Sequence, residues 1–519
     1  MPSATTRKPP VRIAGCSGGF TDRYLALTRM ASDPSVDAVI GDWLAEMTMV
    51  VHGTGKAKRQ AETSNKRHIE GGAKKASLEE RKKSAIWWHE WENDQFDELA
   101  GALVAGHLIE CGSYVTGGFY SEFKDLIKVG ENQLITTGKH VNMGFPIAEI
   151  EADGTFNIAK EKNTGGCVTV RSCASQLLYE IQGPLYYNCD VVADLTGIHM
   201  EQISEDLVRV TGLKGLPPPP TTKVGITLPG GFQAEWHIWL CGLDIEEKIQ
   251  ITKDQILYTI GDDISRFTKL KFQQMGTSVC DGAPTQDFAT VDLRIFAQTR
   301  DPELLRADVP NGFNRWVLET FLQSAPGASL SNDLRQVVPK PFYEYWVSLM
   351  PQSELGVKVH KMFGTQDTRE LPAPAVTKEY PKQQQSYETS DPVPLESFGE
   401  TLRAPLGYIV AGRSGDKASD CNVGFIARHD DEYQWLQSFL TVDRIKELLG
   451  PQEYTGNPID RFEIPGIKAI HFLLHDHLDG GYMSSDDYEG PIYSASSILD
   501  TKANDLALML DSYILLSLS

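Results

Sequence analysis

Residues Val11–Arg23 read VRIAGCSGGFTDR. A short apolar run, Val11 to Ala14, leads into a glycine turn from Gly15 to Gly19, and a helical pattern starts at Asp22. An apolar run that ends in glycines and opens a helix reads as one strand–turn–helix unit. The pattern returns twice. In VDAVIGDWLAEMTM, Val36–Ile40 precedes Gly41, Asp42 and a helical stretch. In HLIECGSYVTGG, Leu108 to Cys111 reads as a third strand ahead of Gly112, Gly117 and Gly118. Three such units near the amino terminus predict an α/β domain on a mainly parallel sheet. In sheets of that kind ligands bind beyond the carboxyl ends of the strands, where these turns would lie.

The bulk properties narrow the function classes. A chain of 519 residues calls for two or three domains. Its net charge of −21 argues against diffuse attraction to nucleic acid or to an acidic membrane. No apolar run is long enough to span a bilayer, and the first residues lack the apolar core of a signal peptide, so a cytoplasmic protein is expected. Eight scattered cysteines without a CxxC pair predict reduced thiols rather than a zinc site or a disulfide framework.

Further along, residues 56–83 carry ten Lys/Arg against four Glu and read as a solvated helical insert. The cluster WWHEW, Trp87–Trp91, follows and fits either a groove lining or a packed anchor. FPIAEIEADGTFNIAK reads as a hairpin turning at Asp153–Gly154. TGGCVTVRSCASQLLYEIQGP gives a glycine turn, a strand and a helix stopping at Gly183–Pro184. The first domain is set at residues 11–364. Residues 365–400, rich in Pro, Gln, Ser and Thr, read as a partly extended linker. Residues 401–519 then read as a small α+β domain: strands at LGYIVAG, CNVGFIAR and IKAIHFLLHDHL, a helix with Thr441 as N-cap and Gly450 as stop, and a closing helix.

No nucleotide fingerprint is present, so no nucleotide or redox cofactor is expected. Ser17 stands where G-x-G-x-x-G needs glycine, and GRSGDKAS lacks the P-loop spacing. The glycine turns could still present backbone N–H groups to an anion. Candidate binding groups are therefore Ser17, Gly18, Gly19 and Arg23 in the first turn, Gly117 and Gly118 in the third, and Gly165 and Gly166 before the second-half helix. Asp42 and Glu46, four apart on one helix face, suit acid/base work; Asp42 equally suits a helix cap. Glu110 and Cys111 are further catalytic candidates. In GRSGDKASDCNVGFIAR, Gly412–Arg428, the cations Arg413, Lys417 and Arg428 stand out in an acidic chain and suit an anion site, unless Asp416 and Asp420 neutralise them. His475, His477 and Asp479 would share one face of a strand and offer an alternative, metal-binding reading.

These motifs together resemble a known family. RIAGCSGGFTDR, GDWLAEMTM, IECGSYVTGGFYSEFKD, GFPIAEIEADGTF, NTGGCVTVRSCASQLLYEIQGPLYYNCDVVADLTGI and KGLPPPPTTKVGI resemble the acyclic terpene utilisation family over residues 11–364. The stretch GRSGDKASDCNVGFIAR with HFLLHDHLDGGYMSSDDYEG resembles the ferredoxin-like domain that accompanies it. The resemblance implies an enzyme on branched or terpenoid-like acyl substrates, carried as CoA thioesters, acting as a lyase or hydratase. A binding or scaffold subunit and a metal-dependent hydrolase are the alternatives. A homo-oligomer is expected, with a small-molecule acyl substrate as partner. Ser175, where the family pattern has an acidic residue, and Cys189, where it has proline, are departures that bear on the substrate rather than the fold.

Overall fold

The computed structural model describes residues 11–16, 38–41, 91–119, 142–278, 282–356, 358–361, 367–370, 372–399, 401–404, 406–478 and 514–517. Two compact units are present: Met1–Val224 with Ser348–His477 and Leu499–Ser519, and Gly225–Val347 with Leu478–Ile498.

The first unit is built on a six-stranded sheet. Its strands are β1 (Val11–Cys16), β2 (Ala38–Gly41), β3 (Pro146–Ile150), β4 (Phe156–Lys160), β7 (His199–Ser204) and β8 (Leu207–Thr211), in the order β2-β1-β3-β4-β8-β7. A small sheet of β5 (Leu185–Tyr187), β6 (Val192–Asp194) and β9 (Lys214–Leu216) lies in the same unit. The expectation of a mainly parallel sheet is corrected here. In the six-stranded sheet only β1 and β2 pair in parallel; β3, β4, β8 and β7 are antiparallel. The cause is local. Asp153–Gly154 turns β3 directly into β4, and Glu205–Asp206 turns β7 into β8, with Asp206 left-handed at φ 56°. Tight turns join antiparallel neighbours, whereas a parallel pair needs a long crossover.

The helix α1 (Phe96–Glu110) packs on this sheet, and it absorbs Leu108–Glu110, which the sequence suggested as strand. Its central residues from Leu99 to Ile109 are nearly all buried, so its apolar residues run round the whole helix and show no clear helical period. Gly101 lets α1 approach the hairpin: a Cβ there would lie 2.0 Å from the Gly154 carbonyl oxygen. The helix α2 (Val170–Leu178) starts at a capping box between Thr169 and Ser172. It ends at Leu178, well before Gly183–Pro184.

The second unit is a five-stranded antiparallel sheet of β10 (Thr221–Cys241), β11 (Lys269–Met275), β12 (Thr290–Thr299), β13 (Ala328–Leu330) and β14 (Lys340–Pro351). One face buries Trp236, Ile238, Leu293 and Ile295 with Ile256, Phe313 and Trp316 from α3 (Ile245–Ile260) and α4 (Phe313–Phe321). Trp236 donates to Asn314 Oδ1 at 2.8 Å, which satisfies its indole N–H inside that core.

Back in the first unit, β15 (Lys358–Lys361) pairs with β16 (Asp367–Glu370), and β17 (Thr401–Ala404) with β22 (Ile514–Ser517). The four residues of β22 are strand, not the closing helix expected from the sequence. The last sheet contains β18 (Val410–Lys417), β19 (Asp420–Ala427), β20 (Ile459–Ile464) and β21 (Ala469–Leu474) in the order β18-β19-β21-β20. The helices α5 (Asp430–Phe439) and α6 (Val442–Glu453) accompany it. Thr441 caps α6 by accepting the Arg444 N–H, and Gly450 at φ 68° kinks it. The stretch 372–399 is extended and well anchored. Tyr380 donates to the Pro217 carbonyl at 2.6 Å, and Tyr387 N–H donates to the Arg461 carbonyl at 3.1 Å. Among the described residues no helix is long and apolar enough to cross a membrane.

Candidate functional site

Several loops leave the six-stranded sheet along one edge. Cys16 at the end of β1 is level with Gly41 at the end of β2. Because β3 runs the other way, its first residues lie at that same end, and β4 finishes there with Lys160 opposite Pro146. Ser17, Gly18, Gly19 and Arg23 follow β1, and Asp42 and Glu46 follow β2; these six candidates lie outside the described residues.

The described part of this edge is a knot of three loops. Ser113 Oγ and Thr116 Oγ1 donate to the Gly144 carbonyl at 2.9 and 3.0 Å, and Cys167 N–H donates to the Thr116 carbonyl at 3.0 Å. The glycines serve close packing. A Cβ on Gly166, whose φ is 71°, would lie 2.2 Å from the Thr116 carbonyl oxygen. The expected anion-binding N–H groups are used by the chain itself. Gly117 N–H donates to Tyr114, Gly118 N–H to Ser113 and Gly165 N–H to Asn142, all to backbone carbonyls. Those three glycines shape the loops rather than present donors.

Glu110 and Cys111 end α1 at this knot and are partly exposed. Cys111 is in no disulfide. It caps the carboxyl end of a helix, where the dipole is negative, the reverse of what a thiolate nucleophile needs. His107, one turn earlier, packs on Tyr186 with ring centroids 5.1 Å apart.

The cation at this site comes from β18. GRSGDKASDCNVGFIAR is a β-hairpin: Gly412–Lys417 pair with Asp420–Phe425, and the turn is Ala418–Ser419, with Ala418 at φ 54°. The glycines do not form a phosphate cradle. Gly415 and Gly424 lie on one face of the sheet, where Cβ atoms would meet the Tyr179 ring at 2.3 Å and Leu178 Cδ1 at 2.5 Å. They open the sheet to the end of α2. On the same face Arg413 is 2% exposed, with its guanidinium carbon 3.9 Å from the Tyr114 ring centre and 4.3 Å from that of Tyr179. Phe119, 54% exposed, stacks on Tyr114 at 5.1 Å. Both tyrosine rings lie within cation–π distance of the guanidinium.

Of the other two expected cations, Arg428 does not join it. Arg428 donates to the Tyr408 carbonyl at 2.6 Å, near the opposite end of the hairpin from its turn. Lys417 is the last residue of β18, pairs with Asp420, and its side chain lies outside the described residues. His475 and His477 follow β21 in a turn rather than in the expected strand, and Asp479 lies outside the described residues. His475 Nε2 is 2.8 Å from Asp460 Oδ2, and among the described residues no group of three or more His, Cys, Asp or Glu is arranged to hold a metal.

Tyr114, Tyr179, Asn422 and His471 were not singled out for this site by the sequence. The second unit holds another polar cluster that the sequence reading missed. On the sheet face opposite its core, His237 Nδ1 lies 2.6 Å from Asp292 Oδ2, and Arg294 Nε donates to Glu235 Oε2 at 2.5 Å. Burial alone would lower the His237 pKa, but hydrogen bonds and charge from Asp292 and Glu235 raise it to about 9. The signal was available as alternation: Gln233, Glu235 and His237 alternate with apolar residues in FQAEWHIWL, as Asp292 and Arg294 do in VDLRIFAQ.

With this geometry in view, comparison with known families is decisive. The model described as acyclic terpene utilisation family protein AtuA matches residues 11–77 and 83–361. The chain belongs to this family. The break in the match falls inside the basic insert. The AtuA ferredoxin-like domain matches residues 404–501, which include the sheet carrying Arg413. No curated protein and no solved structure matches the chain. Of the two departures from the pattern expected of this acyclic terpene utilisation family, Ser175 is buried in α2 one turn before Tyr179. Cys189 is buried too, and its carbonyl accepts from Gln352 Nε2 at 2.8 Å.

Proposed function

We propose that the protein is an enzyme acting on branched or terpenoid-like acyl substrates, carried as CoA thioesters, by lyase or hydratase chemistry. The observation that carries this reading is Arg413, buried against Tyr114 and Tyr179 beside the end of α1. A buried guanidinium suits a carboxylate, a thioester oxygen gaining charge, or a phosphate. Tyr114, Tyr179 and Phe119 supply apolar walls for a branched chain. Glu110 is the described candidate for proton transfer, and Asp42 and Glu46 are the further candidates. A lyase or hydratase needs a base and a seat for developing negative charge, which is the kind of equipment these residues offer. A homo-oligomer is part of the same proposal.

A thermal-shift panel of free CoA, isovaleryl-CoA, isovaleric acid and divalent metals tests it. A ligand that binds the native state raises the melting temperature by mass action. Stabilisation by isovaleryl-CoA beyond that by free CoA supports the reading and selects a substrate for turnover assays. A response confined to the free acid or to metals overturns the thioester part.

A further inference from the structure

The wall of the Arg413 seat is itself held in place by the ferredoxin-like sheet. After α2 the chain passes through Tyr179, Glu180 and Ile181, with Glu180 in the left-handed region at φ 65°. That conformation costs a non-glycine residue on the order of 1 kcal/mol or more, so its surroundings must impose it. Two side chains from the sheet do so. Asn422 Oδ1 accepts the Glu180 N–H at 3.0 Å while its Nδ2 donates to the Leu178 carbonyl at 2.7 Å. His471 Nε2 donates to the Ile181 carbonyl at 2.9 Å. Further on, Gln384 Oε1 accepts the Leu185 N–H at 2.9 Å.

His471 differs from the two amides because it can take up a proton. It is 0% exposed, and among the described residues its buried Nδ1 has no hydrogen-bond partner. The carbonyl partner therefore fixes the tautomer with the proton on Nε2. A second proton on Nδ1 would have no acceptor. Arg413 lies in the same cross-strand row, Arg413–Gly424–His471–Phe462. Asp460 lies one row away, engaged by His475 and by Gln383 Nε2. Glu180 is the charged residue of the loop. Burial lowers the His471 pKa to about 4, the Ile181 carbonyl opposing only in part.

We propose that His471 is a positioning residue that holds Tyr179 against Arg413 through the Ile181 carbonyl, and that acid releases this wall and empties the seat. The inference rests on Arg413 being the ligand seat, but the latch has a readout of its own. Protonation favours the released loop below the imidazole's ordinary pKa of about 6.5, because only there is the ring free to charge.

The test compares wild type with His471→Gln, whose amide can still donate to Ile181. Isovaleryl-CoA binding is measured by calorimetry at pH 7 and pH 5, and the readout is the ratio of the two affinities. Wild type should lose about tenfold more affinity than the variant over this interval. Equal ratios overturn the latch. If neither protein binds at pH 7, the functional reading fails, and near-UV circular dichroism of the tyrosines decides the latch alone: an acid transition absent from the variant supports it, and an identical one overturns it. If the variant does not fold, histidine-selective ¹⁵N NMR of wild type decides. An Nε2–H ring that resists titration above about pH 5 is expected, and titration near pH 6.5 overturns the proposal.

Discussion

Arg413 and Arg461 are buried on opposite faces of one four-stranded sheet, and their surroundings differ in kind. Arg461 is ringed by fixed acceptors. It donates to the carbonyls of Leu440, Tyr387 and Gln437, to Thr389 Oγ1, and pairs with Glu463 at 2.9 Å. It ties the extended stretch 372–399 to α5 and to β20. Arg413 lies against the rings of Tyr114 and Tyr179. A cation saturated by carbonyls and carboxylates holds a fold together. In the proposed function, a cation set against rings where the loops gather is the one that meets a ligand. Burial alone does not separate the two roles; the identity of the surrounding groups does.

That contrast can be broken by substitution. The largest effect is expected from Arg461→Met, which strands buried Glu463 and several carbonyls. It should cost about 3–5 kcal/mol in urea unfolding. A loss below about 1 kcal/mol would show that Arg461 is not the structural member of the pair. Arg413→Met removes the contacts with Tyr114 and Tyr179, worth about 1–2 kcal/mol, and should keep the fold while abolishing isovaleryl-CoA binding.

Gly424→Val sharpens the comparison from the other side. Its side chain would drive into Leu178, so overpacking should cost about 1–3 kcal/mol and weaken binding at the seat. Unchanged melting and binding would mean that α2 does not need this close approach.

The smallest effect concerns the second unit. The His237 pKa is raised in the folded state, so its proton stabilises the fold fully below about pH 6.5, and that contribution is lost as pH rises through about 9. His237→Gln should flatten the alkaline limb of a melting-temperature profile between pH 7 and pH 10. A parallel profile would show that the contacts to Asp292 and Glu235 carry no net linkage.

Much of the architecture was legible in the residues. Asp153–Gly154 announced the β3–β4 hairpin, and Thr441 announced the start of α6, because turns and caps are written in adjacent residues. Leu108–Cys111 was misread because a helix buried on all sides shows an unbroken apolar run, which a buried strand also shows. The parallel sheet was over-extended from β1 and β2, which do pair in parallel, to strands joined by tight turns. In GRSGDKASDCNVGFIAR the sequence singled out Arg413 but not the purpose of its glycines. Gly415 and Gly424 make room for Tyr179 and Leu178, more than 230 residues earlier in the chain. Tyr114 and Tyr179 escaped notice for the same reason, and so did the contact of His471 with the Ile181 carbonyl. Their roles depend on contacts between distant segments, and no local spacing encodes those.

The most direct test of the central claim is calorimetric titration of isovaleryl-CoA into wild type, Arg413→Met and a mildly destabilised control, Gly424→Ala, at pH 7. The account predicts saturable binding to wild type, weakened but measurable binding to the control, and none to Arg413→Met in a protein that melts cooperatively. Binding to Arg413→Met with wild-type affinity would contradict it and remove Arg413 from the site.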